Sequence, residues 1–156
     1  MLESNSTTQA RVKIAFPLKK DADDYPPANW EHLWAVPVGN DVYEIDNIPF
    51  FVKSVAIGDQ VRAEQVDNDL VFRELVETSG HTTLRVLVSN PDNTQNFRDE
   101  LHKLGCESEL SHIDGLIAVD VPPGIHYPDI RDFLDREEAA HRLGYEEAAL
   151  GQAARL

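Results

Sequence analysis

Ser79-Gly80-His81 places a hydroxyl close to an imidazole, the two groups that nucleophilic catalysis combines. Such catalysis also needs an acid that orients the imidazole and donors for an oxyanion. Residues this close on an extended turn tend to point apart, and no Gly-x-Ser-x-Gly elbow surrounds the serine. The segment therefore favours a turn, with His81 as a structural or ligand-contacting residue.

Metal and phosphate sites are disfavoured by residue spacing. The six histidines include no i, i+4 pair, which is the spacing of a helical zinc site. Glu138 and His141 form the one Glu-x-x-His step on a predicted helix, whereas di-iron sites use two such helical steps and glutamates from two further helices. The glycine-rich phosphate loops are also missing. We therefore expect no metal and no cofactor.

Cysteine and paired-carboxylate chemistry is disfavoured as well. Cys106 is the only cysteine, which excludes an intrachain disulfide and a cysteine-based zinc site. The carboxylates of Glu107 and Glu109 should raise the pKa of this thiol, so we expect it to be packed and unreactive. Neighbouring carboxylates such as Glu146 and Glu147 do not face each other on a strand, and they indicate solvated charge.

An aromatic stretch could form either core or a binding surface. It falls within 22 residues and comprises Trp30, Trp34, Tyr43, Phe50 and Phe51. Aromatic side chains dominate small β cores, which favours the core. If these side chains are partly exposed, Glu31, Glu44 and Asp46 would form a charged rim around an aromatic platform, the pattern of a protein-binding surface.

The elements that must position these residues begin with a β-rich unit at 11–80. Strands are predicted at 12–16, 33–38, 42–45, 60–66 and 70–77. The triplets Gly39-Asn40-Asp41 and Asp67-Asn68-Asp69 favour turns between strands. The Pro-interrupted stretch 47–52 indicates a bend or an edge. Short strands without an intervening helix predict an antiparallel β-meander or small barrel.

The second unit, at 81–156, changes to a β-α-β-β-α-β order. Strands are predicted at 82–88, 106–110, 116–121 and 145–150. Asn90 and Pro91 would cap and open the first helix, while Pro128 opens the second helix and Gly144 ends it. This order predicts a ferredoxin-like arrangement, with both helices on one face of a four-stranded sheet.

The resulting prediction is an α+β fold in which the barrel-like unit packs on the ferredoxin-like unit. Residues 1–10 are predicted to be a flexible lead that precedes the two units. The strand at 82–88 could belong to either unit, so the domain boundary near Gly80 is approximate. Each unit is small and has no disulfide, and we therefore expect a packed interface between them.

The acidic balance restricts the partners. The chain has 156 residues, with 28 Asp/Glu against 14 Lys/Arg and a net charge of −14 that divides evenly before and after residue 80. Such a charge disfavours nucleic acid and anionic membranes, and it would attract a basic protein. The first ten residues lack the apolar segment of a signal peptide, and no apolar run is long enough to span a membrane, so a cytoplasmic location is predicted.

Four stretches of the sequence resemble a bacterial family. They are Trp30–Ala35 (WEHLWA), Asp46–Phe51 (DNIPFF), Ile57–Ala63 (IGDQVRA) and Ser79–Val86 (SGHTTLRV). Over about residues 11–150 the chain is similar to the family catalogued as domain of unknown function 4265. The resemblance implies a soluble, standalone bacterial protein, and it assigns no catalytic or binding residue.

Two functional hypotheses follow from these patterns. The first is a non-enzymatic, acidic protein-binding module, in its most concrete form an immunity or inhibitor protein (an antitoxin) that masks a basic bacterial toxin. The second is an enzyme or small-ligand-binding protein with a site between the two units, around His81 and Arg85, which Glu44 or Glu74 would also line. The candidate partner- or ligand-binding residues are Trp30, Trp34, Glu44, Phe50, Phe51, His81 and Arg85. No oligomeric state is predicted.

Overall fold

The structure is a computed structural model that describes residues 10–151. The predicted lead at 1–10 therefore lies outside the described residues, except for Ala10. Five strands of the first half form one sheet. They are β1 (Val12–Pro17), β2 (Trp30–Gly39), β3 (Val42–Ile45), β4 (Gln60–Val66) and β5 (Asp69–Glu77).

This first sheet closes into a barrel because β1 pairs with β5 as well as with β2. The successive pairs from β1 to β5 are antiparallel, as predicted. The seam between β1 and β5 is parallel and joins Ala15 to Val71. The parallel seam follows from the strand number, since the first and fifth strands of an antiparallel meander run in the same direction.

Turn residues and alternation place the barrel strands where the sequence predicted them. Asp41 and Asp67 adopt positive φ angles of 57° and 53° between paired strands, a conformation that aspartate tolerates better than most residues. Alternate side chains then point inward and form a buried core. Its members include Ile14, Phe16, Leu33, Ala35, Ile45 and Val61.

The connection from β3 to β4, residues 46–59, contains no strand, in agreement with the bend predicted at 47–52. Several of its side chains are nevertheless apolar and buried. Ile48 lies buried in it, and Val52 and Val55 join the barrel core. We call residues 46–59 the inserted loop, because it lies between the barrel and the second sheet.

The second half forms a four-stranded antiparallel sheet and two helices. The strands are β6 (Thr82–Val88), β7 (Glu107–Leu110), β8 (Leu116–Val121) and β9 (Leu143–Ala149), and the helices are α1 (Thr94–Lys103) and α2 (Tyr127–Ala139). The order across the sheet is β7-β8-β6-β9, with antiparallel pairs throughout. The predicted α+β class, with a five-stranded and a four-stranded sheet, is confirmed.

The helix ends differ from the sequence prediction at the start of α1, which begins at Thr94 without a side-chain cap, and at the end of α2. Asn90 caps a short 3₁₀ turn at Pro91–Asn93 that leads into α1, and Gly105 follows α1 with a φ of 96°. The prediction that Gly144 ends the second helix is wrong, because Gly144 lies within β9. His141 takes the left-handed conformation there, with a φ of 62°. Within residues 10–151, no helix is long and apolar enough to cross a membrane.

Strand β6 is covered on both faces from Thr82 to Val86. Leu84, Val86 and Val88 belong to the core beneath the helices. Because neighbouring residues on a strand point to opposite faces, Thr83 and Arg85 point the other way, towards the barrel. Both are buried there.

The inserted loop forms a hydrogen bond with each of three strands of the second sheet. The Ile48 N–H donates to Glu109 of β7 at 3.1 Å. The Phe50 carbonyl accepts from Arg85 of β6, and the Ser54 N–H donates to the Ala148 carbonyl of β9 at 2.9 Å. The inserted loop therefore joins the barrel to the second sheet through hydrogen bonds to three different strands.

Gly151 tests how tightly the end of β9 packs on the junction between the units. Its N–H donates to Thr82 Oγ1 at 2.8 Å, and a Cβ at this position would lie 2.0 Å from the Gly80 carbonyl oxygen. We expect Gly151→Ala to lower the free energy of unfolding by about 1–3 kcal/mol, the usual cost of forcing atoms into a packed interior.

The control is Gly124→Ala, since a Cβ on Gly124 would meet nothing within 4 Å. Chemical denaturation of the two variants beside the unsubstituted chain provides the measurement. Equal midpoints for both variants would contradict the close approach of Gly151 to Gly80.

Candidate functional site

The direction of the inserted loop is set by Glu31 on β2. Its carboxylate accepts three consecutive backbone N–H groups, from Phe50 at 2.7 Å and from Phe51 and Val52 at 2.9 Å each. Hydrogen bonds to a charged acceptor are about twice as strong as neutral ones. Glu31 therefore holds the loop so that the Phe50 carbonyl and the Phe51 ring face the second sheet and the space beside it.

Arg85 lies at the point where the inserted loop meets the second sheet. Its side chain is only 4% exposed. Nε donates to Glu146 Oε1 at 2.6 Å, Nη1 donates to the Phe50 carbonyl, and Nη2 is buried without a hydrogen-bond partner. Glu146 is the residue directly opposite on β9, so this ion pair is a cross-strand pair.

A cavity of about 440 Å³ opens beside Arg85, between the barrel and the second sheet. Most of its wall is aromatic or aliphatic, and the segment at 17–26 covers one side. The apolar lining residues are Phe16, Pro17, Leu18, Tyr25, Pro26, Phe51, Val52, Val55, Phe72 and Leu75. A largely apolar hollow with a few polar groups is the usual form of a small-molecule site.

Charged groups occur at a few points of this wall. Lys19, Lys53 and Arg85 contribute positive charge, and Asp21 and Glu146 contribute negative charge. The lining therefore carries one more positive than negative charge, although the whole chain carries −14.

Tyr25 forms part of the same wall and packs edge-on against Phe51, with 5.9 Å between ring centroids. Burial raises the pKa of the Tyr25 hydroxyl, and the nearby Arg85 opposes that rise. The phenol is therefore neutral at physiological pH, and it can donate or accept a hydrogen bond at the edge of the cavity.

His81 and Arg85 do not share a site. Arg85 lines the cavity, whereas His81 is absent from its lining, and Nδ1 of its ring lies 2.7 Å from Asp120 Oδ1. Burial raises the pKa of the Asp120 carboxyl, while the hydrogen bond and the charge of His81 lower it. The acid that orients His81 is thus on β8, far away in sequence.

Ser79 is not paired with the imidazole. Its hydroxyl lies 2.8 Å from both the Ile57 carbonyl and Asp59 Oδ1, so its single proton is shared between two structural acceptors. The His81 backbone N–H donates to the same oxygen at 3.2 Å. These contacts are those of a turn, and the described geometry forms no serine–histidine nucleophile.

The aromatic stretch is divided among three surroundings. Trp34 lies on the outer face of β2 with the Arg11 guanidinium 4.6 Å and the Lys13 ammonium 4.9 Å from its ring centroid. Trp30 is 48% exposed, and with Phe50 and Phe51 it lines a shallow groove of about 400 Å³. Phe51 is shared between this groove and the cavity. Tyr43 packs against the barrel core.

The carboxylates expected around these aromatics mostly have other partners. Glu31 binds the inserted loop, and Asp46 pairs with Arg11 at 3.0 Å. Glu44 is exposed on β3, and Glu74 pairs with Arg62 at 2.8 Å on the outer surface. Neither Glu44 nor Glu74 belongs to the lining of the cavity.

Glu146 is the main site residue that sequence reasoning missed. Glu146 and Glu147 are exposed, as predicted, but both are also paired. Glu146 pairs with Arg85, and Glu147 accepts from the Tyr127 hydroxyl and pairs with Arg131 at 3.0 Å. A signal was present in Arg85 itself, a charge within the apolar strand TTLRVLV, since a buried arginine needs an acidic partner.

Cys106 is buried and free. Burial raises its pKa to about 12, and the nearby Asp120 and Glu107 act in the same direction. The thiol is therefore protonated at neutral pH, and a protonated thiol is neither a nucleophile nor a metal ligand. Among the described residues, no group of three or more histidine, cysteine or carboxylate side chains could hold a metal ion.

Comparisons with known proteins place the chain in a family. The family model described as "Domain of unknown function (DUF4265)" matches residues 31–145, and the chain belongs to this family, which confirms the resemblance seen in the sequence. A solved structure described as "Novel crystal structure of a hypothetical protein from Neisseria gonorrhoeae" is similar, with a TM-score of 0.73 and 24% identity over 92% of this chain and 96% of that one. The likeness shows a shared fold. No curated protein matches.

Glu31 supplies a prediction about the loop that borders the cavity. We expect Glu31→Gln to lower the free energy of unfolding by about 1–3 kcal/mol, because a neutral amide accepts more weakly from the three backbone N–H groups. The control is Glu44→Gln on the neighbouring strand β3, which is exposed and should change stability by less than about 0.5 kcal/mol. Chemical denaturation measures both. A Glu31 variant as stable as its control would show that the loop does not depend on this carboxylate.

Asp120 supplies a prediction about pH. A carboxyl whose pKa is raised in the folded state stabilises the fold while it is protonated, and this contribution is lost as the pH rises through the raised pKa. Asp120→Asn imitates the protonated form at every pH. We therefore expect the unsubstituted protein to lose stability relative to Asp120→Asn as the pH rises above 3.8. Denaturation midpoints at a series of pH values measure this; a difference that is constant, or that changes in favour of the unsubstituted protein, contradicts it.

Proposed function

We propose that this member of the DUF4265 family binds a small, largely apolar molecule in the cavity between the barrel and the second sheet. The observation that carries the proposal is the cavity itself, which has a volume of about 440 Å³ and aromatic walls formed by Phe16, Phe51 and Phe72. Its volume falls within the range of about 300–1,000 Å³ that is typical of ligand sites.

The position of the cavity supports the proposal further. Ligand sites occur preferentially where two structural units meet. This one has the barrel residues Phe16 and Phe72 on one side and Arg85 and Glu146 of the second sheet on the other. The contacts of Glu31 with the inserted loop keep Phe51 in the wall, so the hollow is formed before any ligand enters.

For the second unit we propose the ferredoxin-like arrangement, which leaves one face of its sheet free to border the cavity. The chain order β6-α1-β7-β8-α2-β9 and the sheet order β7-β8-β6-β9 support it. In such a unit the helices cover one face of the sheet and leave the other face for a partner or a ligand. Arg85 lies on that other face, on an interior strand where the sheet is most rigidly held.

The hypothesis of an acidic immunity or inhibitor protein, with a basic protein as partner and a cytoplasmic location, stays a prediction. The geometry around Trp34 supports it less, because cations of Arg11 and Lys13 approach that ring and the Glu31 carboxylate faces backbone N–H groups. The cavity favours the alternative hypothesis, a small-ligand-binding protein. Of the two residues around which that hypothesis placed the site, His81 and Arg85, Arg85 lines the cavity wall.

A blocked cavity tests the proposal. Leu75 lies on β5 in the cavity wall and is 37% exposed, so Leu75→Trp would place an indole in the opening while keeping a residue that strands accept. The matched control is Val76→Trp, because the adjacent residue is outside the lining.

The probes are 2-naphthoate and 2-naphthalenemethanol, and calorimetric titration measures their binding. We expect at least one to bind the unsubstituted protein saturably at one site, to bind Leu75→Trp more weakly by about tenfold or more, and to bind Val76→Trp unchanged. Failure of both probes to bind saturably, or equal losses in both variants, would reject the cavity as a ligand site.

A further inference from the structure

The guanidinium of Arg85 has more donors than the protein uses. An arginine carries five N–H groups. Nε donates to Glu146 and Nη1 makes one contact with the Phe50 carbonyl, while Nη2 has no partner and is buried. Leaving donors of a buried charged group unpaired is expensive, and natural structures do so chiefly where function requires it.

A second unpartnered polar atom lies on the same strand. Among the described residues, the buried side-chain atoms without a hydrogen-bond partner are Arg85 Nη2 and Thr83 Oγ1. Residues two apart on a strand point to the same face, so both atoms belong to the face of β6 that meets the barrel. Thr83 is not part of the cavity lining, so Arg85 carries the unpartnered donor that lies beside the cavity.

The remaining charges of the cavity favour a single negative charge on the ligand. Lys19 and Lys53 line the cavity and form no ion pair within residues 10–151. Asp21 accepts hydrogen bonds from the backbone of Asp23 and Tyr25, and Glu146 is engaged by Arg85. An anion entering from solvent meets repulsion over most of a chain of net charge −14, but it is attracted at this cavity.

We infer that the ligand is a monocarboxylate with an apolar body, whose carboxylate is bound by the guanidinium of Arg85 while its body packs against Phe16, Phe51 and Phe72. The inference rests on the proposed function. A carboxylate is the acceptor that the planar guanidinium fits best. The monoanion also balances the excess of one positive charge in the lining, whereas a dianion would be repelled by Glu146 and Asp21.

The test compares three naphthalene probes of nearly equal shape: 2-naphthoate, 2-naphthalenemethanol and 2-naphthylmethylamine, which at neutral pH are anionic, neutral and cationic. Calorimetric titration should rank them in that order of affinity, with the acid about tenfold or more tighter than the alcohol. Added salt should reduce the advantage of the acid, because the lysines are exposed to solvent.

Variants assign the preference to Arg85. We expect Arg85→Lys to reduce the acid-to-alcohol affinity ratio by about tenfold while the affinity for the alcohol changes little, because lysine keeps the charge but loses the planar fork. The matched control is Arg62→Lys, an arginine that pairs with Glu74 outside the cavity and whose replacement should leave the ratio unchanged. If Arg85→Lys does not fold, Lys53→Gln takes its place and should lower the ratio by a smaller factor of about two to three.

The outcomes separate this inference from the proposed function. Saturable binding in which the alcohol or the amine equals the acid overturns the carboxylate inference and leaves the cavity as a ligand site. The inference is also overturned if the acid is preferred but neither Arg85→Lys nor Lys53→Gln changes the ratio. Absence of saturable binding for all three probes rejects the proposed function itself.

Discussion

The burial of one charge, the guanidinium of Arg85, is the constraint around which the two halves of the molecule are arranged. A charge removed from water is tolerated only when it is paired and hydrogen-bonded. Glu146 meets that need from the neighbouring strand, and the Phe50 carbonyl meets it from the barrel side. Phe50 is held in turn by Glu31. The Glu31 carboxylate in the barrel is thereby coupled through Phe50 and Arg85 to the Glu146 carboxylate in the second sheet.

This coupling explains why the longest connection of the barrel has no regular structure and yet is ordered. Residues 46–59 make no strand, so their backbone N–H groups need partners elsewhere. Glu31 accepts three of them, and Glu109 and Asp59 accept others, from Ile48 and Ala56. Because these acceptors lie on two different units, the loop acts as the layer that joins them, and the cavity is the space left at its edge.

Local patterns predicted most of the strands and helices. Alternation in β1 and the turn residues around Asp41 and Asp67 depend on neighbours within a few residues, and so does the 3₁₀ turn that Asn90 caps ahead of α1. Which strands become neighbours does not follow from such patterns. Glu146 is exposed, and its pairing with Arg85 escaped prediction because the two residues lie 61 positions apart in the sequence.

Some residues of the candidate site were predicted from the sequence and others were not. Arg85 was predicted as part of a polar site around His81, and Phe51 because of its aromatic neighbours. Phe16 and Phe72, which stack with ring centroids 4.6 Å apart, belong to strands whose alternation marks them simply as core. The separation of His81 from Arg85 also escaped prediction. His81 directly precedes β6, and the four-residue spacing gave no reason to expect that Asp120 would bind one side chain and Glu146 the other.

The long sequence separation between Arg85 and Glu146 has a consequence for how the chain is made. Synthesis proceeds from the N-terminus, and domains form as their residues leave the ribosome. The five barrel strands are complete at Glu77, so the barrel can close while β9 is still untranslated. Arg85 then has to wait for Glu146 before its charge can be buried. The cavity wall is therefore completed late, and a chain truncated before β9 would expose an unpaired cation beside an apolar hollow, which is a feature that quality-control proteases and chaperones can recognise.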